Sequence, residues 1–253
     1  MFFKRLFGRS KSSPPREWRA PAGQRLYAIG DIHGRRDLLD ALLETINADD
    51  RARGAAQTQI IFLGDLIDRG PDSRAVVERL MKLCADGNPV RILAGNHEEL
   101  LVQIYDGDIR AAALFKRIGG YETLLSYGMT ALDYETITPE TLAALVKRLI
   151  PQAHIDFLRG FDDWIEAGDY LFVHAGIRPG LALEDQEVSD LRWIRREFTE
   201  HRHAFSHMVI HGHTITEGVD EHTNRIGIDT GAFATGVLTA IGIEGSERWF
   251  LGT

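Results

Sequence analysis

Residues 26–34 of the chain read LYAIGDIHG, four apolar residues that run directly into a cluster of glycine, aspartate and histidine. The same arrangement returns twice, in residues 60–70, IIFLGDLIDRG, and in residues 90–98, VRILAGNHE. Each apolar run has the length and composition of a buried β-strand, so each polar cluster follows the carboxyl end of a strand. Helical patterns separate the three stretches. This alternation predicts an α/β fold with ligand-binding groups in the loops that lead from strands to helices.

The sequence divides into regions of different pattern. We predict a basic N-terminal tail and linker at residues 1–24 and a catalytic domain at residues 25–253. Within that domain, residues at about 98–168 carry helical patterns without strand signals, which predicts a helical insertion. Strand patterns resume at residues 170–173 and recur to the end of the chain, so we expect a β-rich second half. Pro71 is expected to open the helix after the second cluster.

The composition restricts the class of protein. The chain has 253 residues, of which 44% are hydrophobic and 26% are charged, as in a globular domain with a large core. The net charge of −8 argues against non-specific nucleic-acid binding, so we expect no nucleic-acid partner. The single cysteine, Cys84, excludes an intrachain disulfide and is expected to be buried in a helix. A cytoplasmic location fits this cysteine usage.

The first twenty residues differ from the rest, because they carry six lysines and arginines against one acid. Phe2, Phe3, Leu6 and Phe7 lie among these charges. A disordered basic tail is the simpler interpretation. The alternative is a weak peripheral contact of residues 1–19 with anionic lipid, since basic and apolar side chains together favour a membrane surface.

The first two clusters predict a site for one metal ion. Asp31 and His33 are two residues apart, and in an extended segment such residues point the same way, so both can bind one ion. Asp65 follows the next strand, and its two oxygens can bridge this ion to a second one.

The later residues predict the second ion's site. Asn96 offers a neutral oxygen, and His174 and His213, which each follow an apolar strand pattern, complete the set. Carboxylate, imidazole and amide ligands without thiolates favour Mn, Fe or Zn over Ca, in a catalytic site. We therefore expect two divalent ions, with Mn²⁺ first and Fe or Zn as alternatives. Two ions about 3.5–4 Å apart can clamp an in-line displacement at phosphorus and supply a hydroxide nucleophile.

Three further residues predict how the reaction is completed. His97 follows Asn96 and can act as the general acid that protonates the departing oxygen. Asp68 can orient the imidazole of His97 and raise its pKa. Arg69 offers a planar fork of donors for phosphate oxygens.

With these motifs assembled, the chain resembles the calcineurin-like metallophosphoesterases. Among them it is similar to the phosphoprotein phosphatases, in particular the bacterial and phage lambda-type serine/threonine protein phosphatases. The resemblance rests on the ordered motifs Gly-Asp-x-His-Gly, Gly-Asp-x-x-Asp-Arg-Gly, Gly-Asn-His-Glu, a later histidine and Gly-His-Thr. They occur at residues 30–34, 64–70, 95–98, 174 and 212–214.

The resemblance implies a fold and roles for residues. The fold is a central β-sandwich flanked by helices on both sides (αββα). Asp31, His33 and Asp65 would hold the first metal, and Asp65, Asn96, His174 and His213 the second. His97 and Asp68 would form the acid dyad. Arg69 would bind phosphate with a second arginine, for which Arg195 is preferred and Arg192 is the alternative. Residues 228–232 also resemble a late family segment near the site.

The resemblance also implies an activity, namely hydrolysis of phosphoserine and phosphothreonine in a phosphoprotein by direct attack of a metal-bound hydroxide. The alternative is a hydrolase of small phosphoesters or dinucleoside polyphosphates with the same site. Asp68, Arg69 and Glu98 favour the protein phosphatase. A non-catalytic scaffold is disfavoured, because neither a ligand nor the acid is missing. Substrate choice is expected to lie in the helical insertion and in residues 175–207.

Overall fold

Two five-stranded mixed β-sheets form the centre of the computed structural model, which describes residues 16–130 and 134–253. The first sheet contains β1 (Gln24–Ile29), β2 (Gln57–Phe62), β3 (Val90–Ile92), β9 (Thr239–Glu244) and β10 (Glu247–Gly252). Their order is β10-β9-β1-β2-β3. β1, β2 and β3 are parallel, whereas β9 and β10 pair antiparallel. The three strands that precede the motifs are therefore neighbours with their carboxyl ends at one edge.

The second sheet is built from the later part of the chain. It contains β4 (Trp164–Ala167), β5 (Tyr170–Val173), β6 (Met208–His211), β7 (Asp220–Glu221) and β8 (Arg225–Gly227). Their order is β4-β5-β6-β8-β7, with a parallel centre of β5, β6 and β8 and antiparallel edges. The β-rich second half is thus confirmed.

Helices surround the sheets and connect their strands. They are α1 (Arg36–Arg53), α2 (Ser73–Ala85), α3 (Asn96–Tyr105), α4 (Ile109–Ile118), α5 (Gly120–Ser126), α6 (Pro139–Leu149), α7 (Gln152–Arg159), α8 (Val188–Trp193), α9 (Arg196–Thr199) and α10 (Ala232–Thr235). Short 3₁₀ turns lie at Tyr134–Thr136 and Leu183–Asp185. α2 begins at Ser73, with Asp72 at its N-cap, so Pro71 lies before the helix rather than opening it.

The buried residues define four layers. Leu26 and Ala28 of β1 pack with Phe172 and Ile210 of the second sheet, which forms the core of the sandwich. The alternate residues of β1, Tyr27 and Ile29, face a larger core made with α1 to α7, because successive side chains of a strand point to opposite faces. On the outer face of the second sheet, Val173 and Val209 pack with Leu191 and Phe198 of α8 and α9. The αββα fold that the motifs predicted is confirmed.

The helical insertion ends earlier than expected. Residues 98–163 contain α3 to α7, but Trp164–Ala167 form β4, a strand that the sequence analysis assigned to the insertion. β4 pairs antiparallel with β5 and takes an edge of the second sheet. Cys84 also differs from expectation, because it is exposed near the end of α2.

The predicted linker also differs in its described part, residues 16–23. Trp18 and Ala20 are buried against the sandwich core, and the Ala20 N–H donates to Gly245 O at 2.8 Å. This segment is therefore part of the domain. Residues 1–15, and with them most of the proposed lipid-binding segment, lie outside the described residues. Within residues 16–130 and 134–253, none of the helices has the length and apolar character needed to cross a bilayer.

Candidate metal centre and active site

The predicted ligands meet where strands of both sheets end. Asp31 and Asp65 follow β1 and β2, and Asn96 begins α3 after β3. His174 follows β5, and His213 lies two residues after β6. The loops are joined directly, since the N–H groups of Ile32 and His33 donate to Asp65 O at 3.1 and 2.9 Å. The Gly212 N–H likewise donates to His174 O at 2.9 Å.

Two groups of side chains have the spacing of metal ligands. His33, Asp65 and His97 form one group, and Asp65, His174 and His213 form the other, with ligand atoms within 4.8 Å of one another in each group. Asp65 belongs to both, as a bridging ligand would. Asn96 lies beside the second group, with Oδ1 3.1 Å from His174 Nε2.

The imidazoles are oriented by the backbone. His33 Nδ1 lies 2.8 Å from Ile67 O, and His174 Nδ1 lies 2.7 Å from Leu63 O. An Nδ1–H that donates to a carbonyl leaves Nε2 with a free lone pair, the arrangement of a metal-binding histidine. His33 Nε2 and His213 Nε2 are buried and have no hydrogen-bond partner among the described residues. Burial lowers the pKa of both histidines well below the usual value, so both are neutral and able to bind a cation.

Asp31 lies outside both groups of three, beside His213. Its two oxygens accept from the His213 N–H at 3.2 and 3.0 Å. The backbone at Gly212 passes so close to the Asp31 carboxylate that a Cβ on Gly212 would lie 2.0 Å from Asp31 Oδ1. Burial, together with the carboxylates of Asp229 and Asp65, raises the pKa of Asp31 well above its usual value. Buried carboxylates close together are stabilised by a bound cation, so this arrangement fits divalent ions.

His97 and Asp68 form a buried pair next to the ligand groups. His97 Nδ1 lies 2.7 Å from Asp68 Oδ2, and the other oxygen of Asp68 accepts from the Thr123 hydroxyl of α5. Burial lowers the pKa of His97, but the carboxylates of Asp65 and Asp68 outweigh it and raise the pKa above the usual value. The pair is the dyad that the sequence predicted. Thr123 was not predicted, because it lies 55 residues from Asp68 in the helical insertion.

The backbone of the site is strained. Among the described residues, five non-glycine residues have positive φ, and all five lie in the motifs: His33, Asp65, Asp68, Arg69 and His213. Their φ values run from 45 to 72°, a region that side chains other than glycine adopt at a cost. Such outliers cluster at functional sites when surrounding contacts enforce them.

Glu98 enforces part of this conformation, a role that the sequence analysis did not assign. Its side chain is fully buried and accepts from the N–H groups of Asp65 and Gly95, at 2.9 and 3.0 Å, through one oxygen. The other oxygen accepts from the N–H groups of Leu66 and Ile67, at 2.8 and 3.4 Å. The signal was available, because glutamate three residues after a helix start is a capping residue. Burial first, and then Asp65, raise the pKa of Glu98 to about 7.

The arginines differ in how they are held. Arg69 donates through Nε to Ile118 O at 3.2 Å, and its Nη2 lies 3.2 Å from His97 Nε2. Arg192 is occupied, because it donates to Asp163 at 2.6 Å and lies 3.9 Å from Glu99. Arg195 is exposed, has no ion pair among the described residues and reaches His213 O at 3.5 Å. Of the two candidates for the second clamp, Arg195 therefore has its guanidinium available at the ligand groups.

Residues 24–229 match the family model of the calcineurin-like phosphoesterases. The chain belongs to this family. Among curated relatives, the symmetrical bis(5'-nucleosyl)-tetraphosphatase of Nitrosomonas europaea is 27% identical over 77% of this chain and 62% of its own length. The enzyme of the same name from Acidovorax sp. strain JS42 is 42% identical over 63% of this chain and 47% of its own length. The chain thus spans about half the length of such relatives.

Three further comparisons cover most of this chain. The asymmetrical bis(5'-nucleosyl)-tetraphosphatase PrpE of Oceanobacillus iheyensis is 25% identical over 84% of this chain and 86% of its own length. The crystal structure of a candidate diadenosine tetraphosphatase superposes with a TM-score of 0.61, at 20% identity, over 92% of this chain and 98% of that one. A serine/threonine phosphatase of Saccharomyces cerevisiae superposes with a TM-score of 0.54, at 14% identity, over 91% of this chain and 79% of that one. The structural likenesses establish the metallophosphoesterase fold.

The comparisons show the family and the names of its curated relatives. The chain belongs to the calcineurin-like phosphoesterases, and the three curated relatives described above are named as tetraphosphatases. Asp68 and Glu98, which favoured the protein phosphatase, have roles that do not depend on the substrate. Asp68 orients His97, and Glu98 holds the backbone of the second motif.

Proposed function

We propose that the protein is a dinuclear metal-dependent hydrolase that cleaves the phosphate chain of dinucleoside polyphosphates. The observation that carries the reaction type is the pair of ligand groups that share Asp65 and lie beside the buried His97–Asp68 dyad. The names of the relatives support the substrate class. Diadenosine tetraphosphate is the representative of this substrate class.

The residues would hold two divalent ions. Asp31, His33 and Asp65 are the proposed ligands of the first, and Asp65, Asn96, His174 and His213 those of the second. Mn²⁺ is the first candidate and Fe or Zn the alternatives, because the set combines carboxylate, imidazole and amide groups. When bound, such ions neutralise phosphate charge and make water a better nucleophile at neutral pH.

The protein's own groups complete the reaction. Arg69 and Arg195 donate to the non-bridging oxygens of the phosphoryl group and hold it in line with the attacking water. Water adds to phosphorus and gives up a proton to the solvent, and the bond from phosphorus to the bridging oxygen breaks. His97 gives its proton to that oxygen through Nε2, while Asp68 stabilises the imidazolium through Nδ1. Cleavage at the central bridge yields two nucleoside diphosphates, and cleavage at an outer bridge yields a triphosphate and a monophosphate.

Hydrolysis of phosphoserine or phosphothreonine is the second candidate. One observation favours it, namely the depth of the His97–Asp68 pair, whose side chains are at most 1% exposed. A serine alkoxide is a poor leaving group that needs a proton donor, whereas a departing phosphate needs one much less.

Turnover of the two substrates side by side tests the proposal. The protein is loaded with Mn²⁺ and given diadenosine tetraphosphate or a phosphoserine peptide at equal concentration. We expect the dinucleotide to be consumed faster, and chromatography of the nucleotide products identifies the cleaved bridge. A chelated sample is the control and should be inactive. Clear preference for the phosphopeptide would overturn the substrate assignment and leave the metal chemistry intact.

A further inference from the structure

A cleft lies behind the ligand groups, on the side of the helical insertion. Its volume is about 250 Å³, and its walls come from α3, from the end of α7 and from α8. Val102, Leu158 and Phe161 supply apolar surface, and Glu99, Gln103 and Arg192 supply polar groups. Neither the metal ligands nor the acid dyad lines it, so the proposed chemistry does not use it.

The cleft is one layer of side chains away from the metal centre. The Trp193 indole N–H donates to Glu99 Oε2 at 2.8 Å, and the indole ring lies 6.5 Å from the His213 ring, centroid to centroid. α3 links the two places as well, because it begins with Asn96 and carries Gln103 two turns later. Seven residues of helix span about 10 Å, a distance that a short polyphosphate chain can cover.

The chemistry of the cleft suits a flat, mostly apolar group. Small-molecule sites combine an apolar lining with a few placed polar groups, as here. The Glu99 carboxylate disfavours a phosphate inside the cleft, because like charges repel. Arg192 lines the cleft and is held there by Asp163, to which its Nη2 donates at 2.6 Å. A nucleobase offers ring-nitrogen acceptors, and its faces stack on aromatic and guanidinium groups.

We infer that this cleft binds one nucleobase of the dinucleoside polyphosphate while the phosphate chain lies at the metal centre. The inference rests on the proposed function and adds the place where the substrate is recognised. Phe161 and Arg192 would contact the base, and the second nucleoside would remain outside the cleft. The helical insertion then contributes to substrate choice through α3 and α7.

Filling the cleft tests this assignment. In Val102→Phe the larger side chain occupies the cleft, and Gln103→Trp does so from the next position of α3. Val237→Phe is the matched control, because Val237 is 41% exposed between α10 and β9 and does not line the cleft. We expect KM for diadenosine tetraphosphate to rise about 5- to 100-fold in the two cleft variants, the range that loss of one stacked base implies. Turnover of p-nitrophenyl phosphate, which has no base, should match the wild type.

A binding measurement separates this inference from the proposed function. Calorimetric titration with AMP should show binding to the wild type and to Val237→Phe, and weaker binding to the cleft variants. If the wild type hydrolyses the dinucleotide and the cleft variants keep both its KM and their affinity for AMP, the cleft assignment is wrong and the proposed function stands. If the wild type binds AMP in the cleft but does not hydrolyse the dinucleotide, the proposed function fails alone.

Discussion

His97 Nδ1 lies 2.7 Å from Asp68 Oδ2, and neither side chain is more than 1% exposed. The Thr123 hydroxyl binds the second oxygen of Asp68, so the carboxylate is fixed between the helical insertion and the imidazole. The relationship holds His97 Nε2 toward Asp65, whose Oδ2 lies 3.8 Å away. Arg69 Nη2 lies 3.2 Å from the same nitrogen, so His97 Nε2 is close to both Arg69 and the ligand groups.

Replacing His97 by asparagine tests its role as the acid. We expect His97→Asn to keep both metal ions and to lower turnover of a phosphoserine peptide by roughly 10²–10⁴-fold, the usual contribution of a general acid. Elemental analysis of the purified variant and steady-state rates provide the measurement. Turnover of p-nitrophenyl phosphate should fall less, because its leaving group needs the proton less. Loss of metal from the variant would instead make His97 a ligand, as its place in the first group allows.

Substitution of Gly212 tests the proposed role of Asp31. A Cβ at this position would lie 2.0 Å from Asp31 Oδ1, so Gly212→Ala must displace the carboxylate. We expect the variant to bind one metal equivalent more weakly, as measured by titration with Mn²⁺. Gly218→Ala is the matched control, since a Cβ there meets nothing within 4 Å. Equal metal affinity in both variants would show that Asp31 is not a ligand.

The different contacts of Arg195 and Arg192 allow an experiment to decide which of them is the second phosphate-binding arginine. Arg195→Ala should raise KM for phosphate substrates about 10- to 100-fold, the loss expected for hydrogen bonds to a charged group, with little change in unfolding temperature. Arg192→Ala breaks the bond to Asp163 and should lower the unfolding temperature, while KM for p-nitrophenyl phosphate, which has no base, should not change. Steady-state kinetics and thermal denaturation of both variants give the comparison. The reverse result, a raised KM in Arg192→Ala and a lowered unfolding temperature in Arg195→Ala, would assign the second phosphate contact to Arg192.

Glu98 should contribute to stability through its bonds to the backbone. Glu98→Gln keeps the shape of the side chain but replaces one oxygen, which accepts from two N–H groups, by an NH₂ group that cannot accept. We expect the free energy of unfolding to fall by about 1–3 kcal/mol, the cost of leaving buried donors without an acceptor. Chemical denaturation measures it, with Glu140→Gln at the exposed start of α6 as the control. An unchanged free energy would contradict the proposed clamp on the second motif.

The contacts of Asp49, which lies away from the active site, predict that the stability of the fold falls in acid. Its carboxylate accepts from Tyr27 Oη at 2.6 Å and from Trp249 Nε1 at 2.9 Å, and so ties α1 to both β1 and β10. Burial raises its pKa, but Tyr27, Arg53 and Trp249 outweigh burial and hold the pKa below the usual value. The resulting stabilisation is present above the pKa of unfolded aspartate, about 4, and is lost as pH falls through the lower folded value.

Asp49→Asn should therefore lower the free energy of unfolding by about 1–3 kcal/mol at neutral pH and flatten its dependence on pH below about 4. Denaturant unfolding at a series of pH values measures both effects. Asp185→Asn, at an exposed position, is the control. If the free energy of unfolding of Asp49→Asn depended on pH as it does in the wild type, another group would cause the loss of stability in acid.

The strands before the first two motifs could be predicted because four apolar residues precede each motif, and the third because its apolar residues run on to Ala94 with only Arg91 between them. β4 was missed since its four residues pair only with β5 at a sheet edge, so tertiary contact rather than local pattern makes it a strand. Pairing of β1 with β9 joins residues more than 200 positions apart, which local periodicity cannot show. The motifs predicted that Asp31, His33 and the His97–Asp68 pair would lie close together. The bond from Thr123 to Asp68 was not predicted, because it depends on how the helical insertion meets the second motif. The capping position of Glu98, three residues after Gly95, was readable from the sequence.

The five left-handed residues of the motifs have a consequence for engineering and for evolution. Each such conformation costs on the order of 1 kcal/mol or more, a sizeable part of the roughly 5–15 kcal/mol that stabilises a domain. Variants selected only for heat resistance should therefore accumulate glycine or asparagine at these positions and lose catalysis. In this chain, the backbone torsions that the active site requires are the same ones that lower the stability of the domain.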